Sequence, residues 1–325
     1  MSTAPKALAV RIINHSDILH SKKMRSLYLV GPTGSGKSSI ASLIANDLNG
    51  EIINADAFQL YKGIEIITAS PNKKELNRAP HHLYGILNLD EEYNAGKYSI
   101  IAKEKITEIK ENKKLPIVTG GSGLYIKSLT HGLLDFPPVD EKLRKKLNQL
   151  SIEELSEKLF KFDPDGAQNI NLKNKRHIIR ALEISIQCGK PMSQIKKDWK
   201  KKNPVFTGLI IERPRDELYE RINSRVIKMF NSGAVEQIAQ LPENISETAI
   251  KAIGIREIKD YLNGKMSLDE SISTIQKISR NYAKRQITWF KRESGFQRVC
   301  LYADEDTDLI LKKILGTISS MKNVI

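Results

Sequence analysis

Leu27-Tyr28-Leu29-Val30-Gly31-Pro32-Thr33-Gly34-Ser35-Gly36-Lys37-Ser38 joins a short apolar run to a glycine-rich turn that closes on lysine and serine. Gly31, Gly36, Lys37 and Ser38 stand at the spacing G-x-x-x-x-G-K-[ST] of a phosphate-binding loop. Downstream, Ile40, Leu43, Ile44 and Leu48 recur at helical spacing, so the motif lies between a strand and a helix, the context it requires. Residues Gly31 to Ser38 are therefore expected to hold a di- or triphosphate. Backbone N–H groups close on phosphate oxygens at a helix N-terminus, Lys37 adds a point charge, and the Ser38 hydroxyl can ligate a magnesium ion.

Working outward, Glu51-Ile52-Ile53-Asn54-Ala55-Asp56 reads as a short strand ending in a carboxylate. A polar helix over residues 101–112 precedes a buried strand, Leu115-Pro116-Ile117-Val118-Thr119, that runs into Gly120-Gly121-Ser122-Gly123. Strands alternating with helices predict a parallel sheet, with ligands at the carboxyl ends of its strands. The phosphate loop, Asp56 and the Gly120 to Gly123 turn then converge. Phe136-Pro137-Pro138 breaks the pattern and opens a Lys-, Glu- and Leu-rich helical stretch to about Lys201, and a strand candidate at Thr207 to Glu212 resumes the sheet. A last strand is expected at Gln297 to Tyr302. The predicted class is α/β: a P-loop parallel sheet covered by helices, with a helical insertion domain. The expected divisions are a disordered tail (1–25), the first part of a catalytic core (26–138), the insertion (139–204), and the rest of the core with basic C-terminal helices (205–325).

The 325 residues are 40% hydrophobic and 28% charged, a globular balance that allows one large or two ordinary domains. No apolar run approaches the roughly 18 residues of a membrane span. A soluble, cytoplasmic protein without a membrane partner is expected, with Cys188 and Cys300 as reduced thiols. The first 25 residues carry several bases and one acid, Asp17, without the apolar block of a secretory signal, and Met24 is an alternative start. A net charge of +14 calls for a polyanionic partner.

Phosphate loops serve kinases, ATPases, GTPases and some transferases. The run Leu115 to Val118 ends in Thr119 and glycines rather than a magnesium-holding Asp, and Asn72-Lys73-Lys74-Glu75 lacks the Asp of the guanine motif N-K-x-D. Ordinary nucleotide hydrolysis is thereby disfavoured. The string ADAFQLYKGIEIITASP (Ala55 to Pro71) resembles the D-S-x-Q-x-Y-x-x-x-x-I-x-T segment of tRNA dimethylallyltransferases, also called tRNA isopentenyltransferases. The likeness continues, in the family's order, through Ala79 to Leu83, Gly120 to Tyr125, Arg180 to Glu183, Ile253 to Glu257 and Tyr282 to Phe290. Several motifs in order are far more specific than one.

The resemblance implies transfer of a dimethylallyl group from dimethylallyl diphosphate to the exocyclic amine of the adenosine immediately 3′ of the anticodon. The loop then grips a leaving group, with Lys37 and magnesium near Ser38 placed where charge develops. Ser122 belongs here by resemblance, where the family more often has Thr. So does one of Arg221 and Arg225, which share a helical segment. Asp56 is the candidate base for the amine, with a magnesium outer shell as its alternative, and Gln59 the candidate reader of the adenine edge. Phe58 and Tyr61 are candidates for lining the pocket of a flipped base.

Arg176 and Arg180 stand one helical turn apart, and Lys284, Arg285, Thr288, Lys291 and Arg292 fall broadly on one side of a second helix. These two strips, with the resemblance, give the expected tRNA contacts: Asp56, Ala57, Phe58, Gln59, Ser122, Arg176, Arg180, Gly254, Arg256, Lys284, Arg285, Gln286, Thr288, Trp289 and Arg292. The partners implied are the tRNA anticodon stem–loop and dimethylallyl diphosphate, with Mg2+ as cofactor and a monomeric enzyme. Ala57, Ile67, Ser70, His177 and Ile255 depart from the family's pattern, and no Cys/His cluster follows Arg292. Three rivals remain at this stage: prenyl transfer to a free adenine nucleotide, a P-loop small-molecule kinase, and a non-catalytic RNA-binding protein.

Overall fold

The structure, a computed structural model, describes residues 26–133, 140–200 and 206–321. The expected tail, Met24 and the breaker at 136–138 lie outside the described residues. Six strands, β1 (Leu27–Val30), β2 (Gly50–Asn54), β3 (His81–His82), β4 (Leu115–Gly120), β5 (Thr207–Glu212) and β6 (Gln297–Cys300), form one sheet in the order β3-β2-β4-β1-β5-β6. Every neighbouring pair is parallel. The helices are α1 (Lys37–Asp47), α2 (Ala95–Glu111), α3 (Gly123–Thr130), α4 (Glu141–Gln149), α5 (Ile152–Phe162), α6 (Lys175–Cys188), α7 (Met192–Lys200), α8 (Arg215–Asn231), α9 (Ile255–Leu262), α10 (Leu268–Phe290) and α11 (Thr307–Ser320), with short helical turns between them. The α/β class expected from the sequence is the class the chain adopts.

Two-residue alternation inside apolar strands builds two cores. Tyr28, Val30, Ile53, Val118 and Ile210 face the side packed by α2, α8, α9 and α10. Leu27, Leu29, Ile52, Ile117, Leu209 and Ile211 face the side covered by α1 and α11, through Ile40, Ile44, Ile314 and Ile318. The helix expected over residues 101–112 begins earlier, at Ala95, because the Asn94 side chain accepts the Gly96 and Lys97 N–H groups and caps it. The last strand stops at Cys300, two residues short of the expectation. His81 and His82 form the edge strand β3, which His82 ties down by a 2.6 Å contact to Glu51, itself 2.6 Å from Lys114.

The chain divides into two compact units, one taking the described residues of 1–130 and 205–325, the other those of 131–204. The second unit is helical and has its own core of Leu147, Leu155, Leu159, Ile178, Ile179 and Leu182. Beside that core Glu183 is fully buried, and its carboxylate receives Arg144 at 2.5 and 2.8 Å and Arg180 at 3.3 Å.

In the first unit β2 and β4 approach so closely at their carboxyl ends that a Cβ on Gly120 would stand 2.2 Å from the Ala55 carbonyl oxygen. Gly120→Ala must therefore push Ala55 and the following Asp56 aside. A loss of about 1–3 kcal/mol in stability is expected, read as a lowered urea midpoint.

Candidate active site

The carboxyl ends of four adjacent strands supply the site. β1 runs into the phosphate loop, β2 into Asp56, β4 into Gly121 and Ser122, and β5 into Arg213. This is the crevice where open parallel sheets bind ligands. Gly36 caps α1 with φ +91°, a left-handed conformation that only glycine adopts without strain. The first-turn N–H groups of α1 lack helical partners and point into that crevice.

Much of the loop's own hydrogen bonding is spent internally. The Gly31 N–H reaches Gly120 O at 3.4 Å, the Thr33 N–H reaches Gln286 Oε1 at 2.8 Å, and the Ser35 N–H reaches Pro32 O at 3.3 Å. On the acceptor side, Arg221 Nε donates to Gly34 O at 2.9 Å and Arg213 Nε to Ser35 O at 3.0 Å. Three loop amides expected on phosphate are therefore turned to the protein. The N-terminus of α1, with Lys37 and Ser38, is left as the candidate grip. A Cβ on Gly36 would meet Arg221 Nη2 at 3.3 Å and Arg213 Nη2 at 3.9 Å, so both guanidinium groups border that N-terminus.

A cavity of about 50 Å³ opens beside the loop, with Thr33, Asp56 and Arg225 at its polar side and Ile67, Met229, Ile253 and Ile275 among its apolar lining. Arg225 Nη2 donates to Thr33 Oγ1 at 2.5 Å, while its Nε is buried without a partner. Burial presses this guanidinium below its ordinary pKa, opposed by the nearby Asp56. Burial also brings the Lys37 ammonium down to about 8, with Asp56 pulling it up and Arg225 pushing it down. Two desolvated cations thus stand around one carboxylate, an arrangement that awaits an anion. Of the two arginines proposed for diphosphate, Arg225 lines the cavity, whereas Arg221 is exposed and borders the N-terminus of α1.

Asp56 is positioned by its neighbours. The fully buried Asn54 accepts the Asp56 N–H at 2.8 Å and donates to Asp56 O at 3.1 Å and Leu83 O at 2.9 Å. Asp56 Oδ1 accepts the Phe58 N–H at 3.1 Å, and Phe58 and Tyr282 line the same cavity. Ser122 Oγ accepts the Ala57 N–H at 2.9 Å. Tyr61 is wholly buried in the core, with its hydroxyl on Glu91 O at 3.0 Å, so it lines no base pocket.

Several expected RNA contacts have other work. Gln59 donates to Thr68 O and Ala69 O, both at 2.9 Å, which commits its amide nitrogen to ordering that turn rather than to reading adenine. Gln286 is buried and bridges Thr33 to Gly121. Gly254 is buried at the start of α9, with its N–H on Glu257 at 2.9 Å. Trp289 packs on Gly123 and edge-on to Phe290, with ring centroids 5.0 Å apart. By contrast Lys284, Arg285, Thr288 and Arg292 are exposed along α10 and just beyond it, as is Arg256 on α9. In the second unit Arg176 is exposed, while Arg180 is half-buried and paired with Glu183.

Arg213, Asn54 and Tyr282 are the site residues that the sequence reading missed. Their signals were slight: a polar residue closing an apolar strand, and an Arg-Pro pair after β5. A larger open groove, about 960 Å³, is lined by side chains such as Gln237, Gln240 and Leu241 and contains neither the loop nor Asp56. Among the described residues no group of three or more His, Cys, Asp or Glu side chains could hold a metal ion by itself, and no helix is long and apolar enough to cross a membrane.

The lowered pKa of Lys37 has a measurable sign. Free Lys37 loses its proton as pH rises through about 8, whereas a bound anion favours the charged form. Binding of inorganic diphosphate at pH 8–9 should therefore take up a proton, and affinity should fall as pH rises above 8. Calorimetry in buffers of different ionisation enthalpy reads the uptake, and Lys37→Met should abolish it.

Residues 59–293 match the family model described as IPP transferase. A tRNA dimethylallyltransferase of Rickettsia conorii is 40% identical over 301 residues, covering 88% of this chain and 82% of its own. The tRNA dimethylallyltransferase 1 of Citrifermentans bemidjiense is 40% identical over 278 residues, covering 84% and 91%. Among solved structures, the full-length tRNA isopentenylpyrophosphate transferase of Bacillus halodurans superposes with a TM-score of 0.68 at 35% identity, over 91% of this chain and 96% of that one. A eukaryotic dimethylallyltransferase acting on tRNA superposes with a TM-score of 0.78 at 27% identity, over 92% and 80%. Matches of this extent, with the family model running from Gln59 past the end of α10, make the chain a member of the IPP transferase family.

Proposed function

We propose that this enzyme is a tRNA dimethylallyltransferase: it moves the dimethylallyl group of dimethylallyl diphosphate to the exocyclic amine of the adenosine 3′ of the anticodon and releases diphosphate. The observation that carries the reading is the single cavity shared by Asp56, Arg225 and the phosphate loop. The chemistry requires all three. The bond from the prenyl C1 to oxygen breaks with its electron pair leaving on diphosphate, and a new bond forms from the amine nitrogen to C1. Lys37, Arg225 and the N-terminus of α1 meet the charge that grows on the leaving group.

The amine is a poor nucleophile because its lone pair is delocalised into the ring. With Oδ1 of Asp56 held by the Phe58 N–H, the other carboxylate oxygen is the acceptor for the proton the amine gives up. The apolar lining, Ile67, Met229, Ile253 and Ile275, suits a five-carbon prenyl chain and excludes water from a carbon centre that develops positive charge. A magnesium ion fits the donor set. Ser38, at the first turn of α1, and the diphosphate oxygens would hold it, and when bound it neutralises the leaving group. Such an ion keeps waters and substrate phosphates among its ligands.

The adenosine must leave its stack to enter the cavity, which costs little in a single-stranded loop. Exposed Lys284, Arg285 and Arg292 in the first unit, and Arg176 in the second, provide cations for the RNA backbone. A tRNA substrate and two free thiols accord with the cytoplasm.

Labelled dimethylallyl diphosphate offered with magnesium and either tRNA or AMP tests the reading. Label should pass to tRNA and not to AMP; label on neither, with ATP consumed instead, would overturn it. Asp56→Asn should lower kcat by about 10²–10⁴-fold. Arg225→Met should lower kcat/KM more than Arg221→Met, because the buried donor acts in the lower dielectric.

A further inference from the structure

Helix α10 has two faces with different duties. Its exposed side carries Lys284, Arg285 and Thr288, whereas Gln286 is 5% exposed on the opposite side. The Gln286 carboxamide spans the two strand-end turns of the site. Its Oε1 accepts the Thr33 N–H at 2.8 Å, and its Nε2 donates to Gly121 O at 2.9 Å. Nothing larger than glycine fits opposite it, since a Cβ on residue 121 would stand 2.2 Å from Nε2.

We propose that Gln286 is a positioning residue for the leaving-group site: it fixes the phosphate loop from behind and contacts no RNA. The inference rests on the reading above in taking diphosphate as the loop's ligand and the α10 cations as an RNA face. Both polar atoms of the carboxamide already bond the protein, Tyr282 also hydrogen-bonds it, and its burial keeps it away from the RNA face. Turning the Thr33 N–H outward also decides which donors remain for diphosphate. Thr33 is held on its other side by Arg225 at its hydroxyl, so one residue of the loop is clamped between α10 and α8. If Gln286 lets go, the Thr33 peptide can rotate and Arg225 loses the fixed oxygen that aims it.

Gln286→Met keeps the length and roughly the volume of the side chain and removes both hydrogen bonds. Calorimetry with inorganic diphosphate, and separately with an anticodon stem–loop RNA, should show diphosphate binding weakened about 10-fold or more and RNA binding unchanged within about two-fold. In steady state, KM for dimethylallyl diphosphate should rise while KM for tRNA holds. Gly121→Ala provides a second variant acting from the other side of the same contact. It should reproduce the loss by displacing the carboxamide, and the double variant should be no worse than either single one. Weakened RNA binding with diphosphate binding intact would overturn the proposal, as would additive losses in the double variant. A wild-type protein that binds diphosphate but no RNA would count against the tRNA reading, while a diphosphate defect in Gln286→Met would still support the brace.

Discussion

Lys37 is half-buried and its ammonium is poorly solvated, and the rest of the site is arranged around that fact. A buried ammonium is costly, which is why its proton is held so loosely that burial brings its pKa to about 8. Arg225, half-buried with its Nε covered and unpartnered, stands nearby. One carboxylate, Asp56, offsets part of this and cannot offset all of it. On the proposed reaction, the residual demand for negative charge favours diphosphate, and most of all the charge that develops on it as it departs.

Holding such a site ready requires that the loop not collapse onto its own cations. Its carbonyl oxygens are the obvious competitors for them, and two are already engaged from outside, Gly34 O by Arg221 and Ser35 O by Arg213. Lys37 itself reaches Pro32 O only at 3.4 Å, a long contact that a phosphate oxygen can displace. The N–H groups of Thr33 and Ser35 are likewise occupied. The loop is therefore shaped before substrate arrives, so that little binding energy is lost to ordering it.

The phosphate loop was legible in the sequence because its chemistry is local: the glycines, lysine and serine act on a ligand held by consecutive residues. Asp56 was legible because an apolar strand places its last polar residue at a known edge of the sheet. Arg213 and Tyr282 were not, since each reaches the site from a distant element and no local pattern distinguishes either from a solvated or core residue. Gln59 and Gln286 were assigned to RNA because an amide side chain suits base recognition equally well. In the fold, backbone carbonyls take the Gln59 amide nitrogen, and a backbone N–H and a carbonyl hold the two ends of the Gln286 carboxamide. The strips on α6 and α10 divided for a similar reason. Arg180 has a buried carboxylate three residues along its own helix, whereas Arg285 is exposed and lies over the ring of Tyr282, 5.5 Å away.

The departures from the family's pattern can be understood by where their side chains lie. Ala57 contributes a backbone N–H to Ser122, a bond any residue could make, so the missing hydroxyl leaves that contact intact. Ile255 is fully buried among the apolar residues beneath α9, where an aliphatic side chain needs no polar partner. Ser70 stands 3.2 Å from the Thr68 hydroxyl and shares the turn that Gln59 ties down. Ile67 is different, because it lines the reaction cavity and lies 3.5 Å from where a Cβ on Gly254 would stand. A branched side chain there fills space that glycine would leave open. It narrows the cavity on its apolar side, in ordinary contact distance of position 254, where a φ of +109° rather than a lack of space calls for glycine.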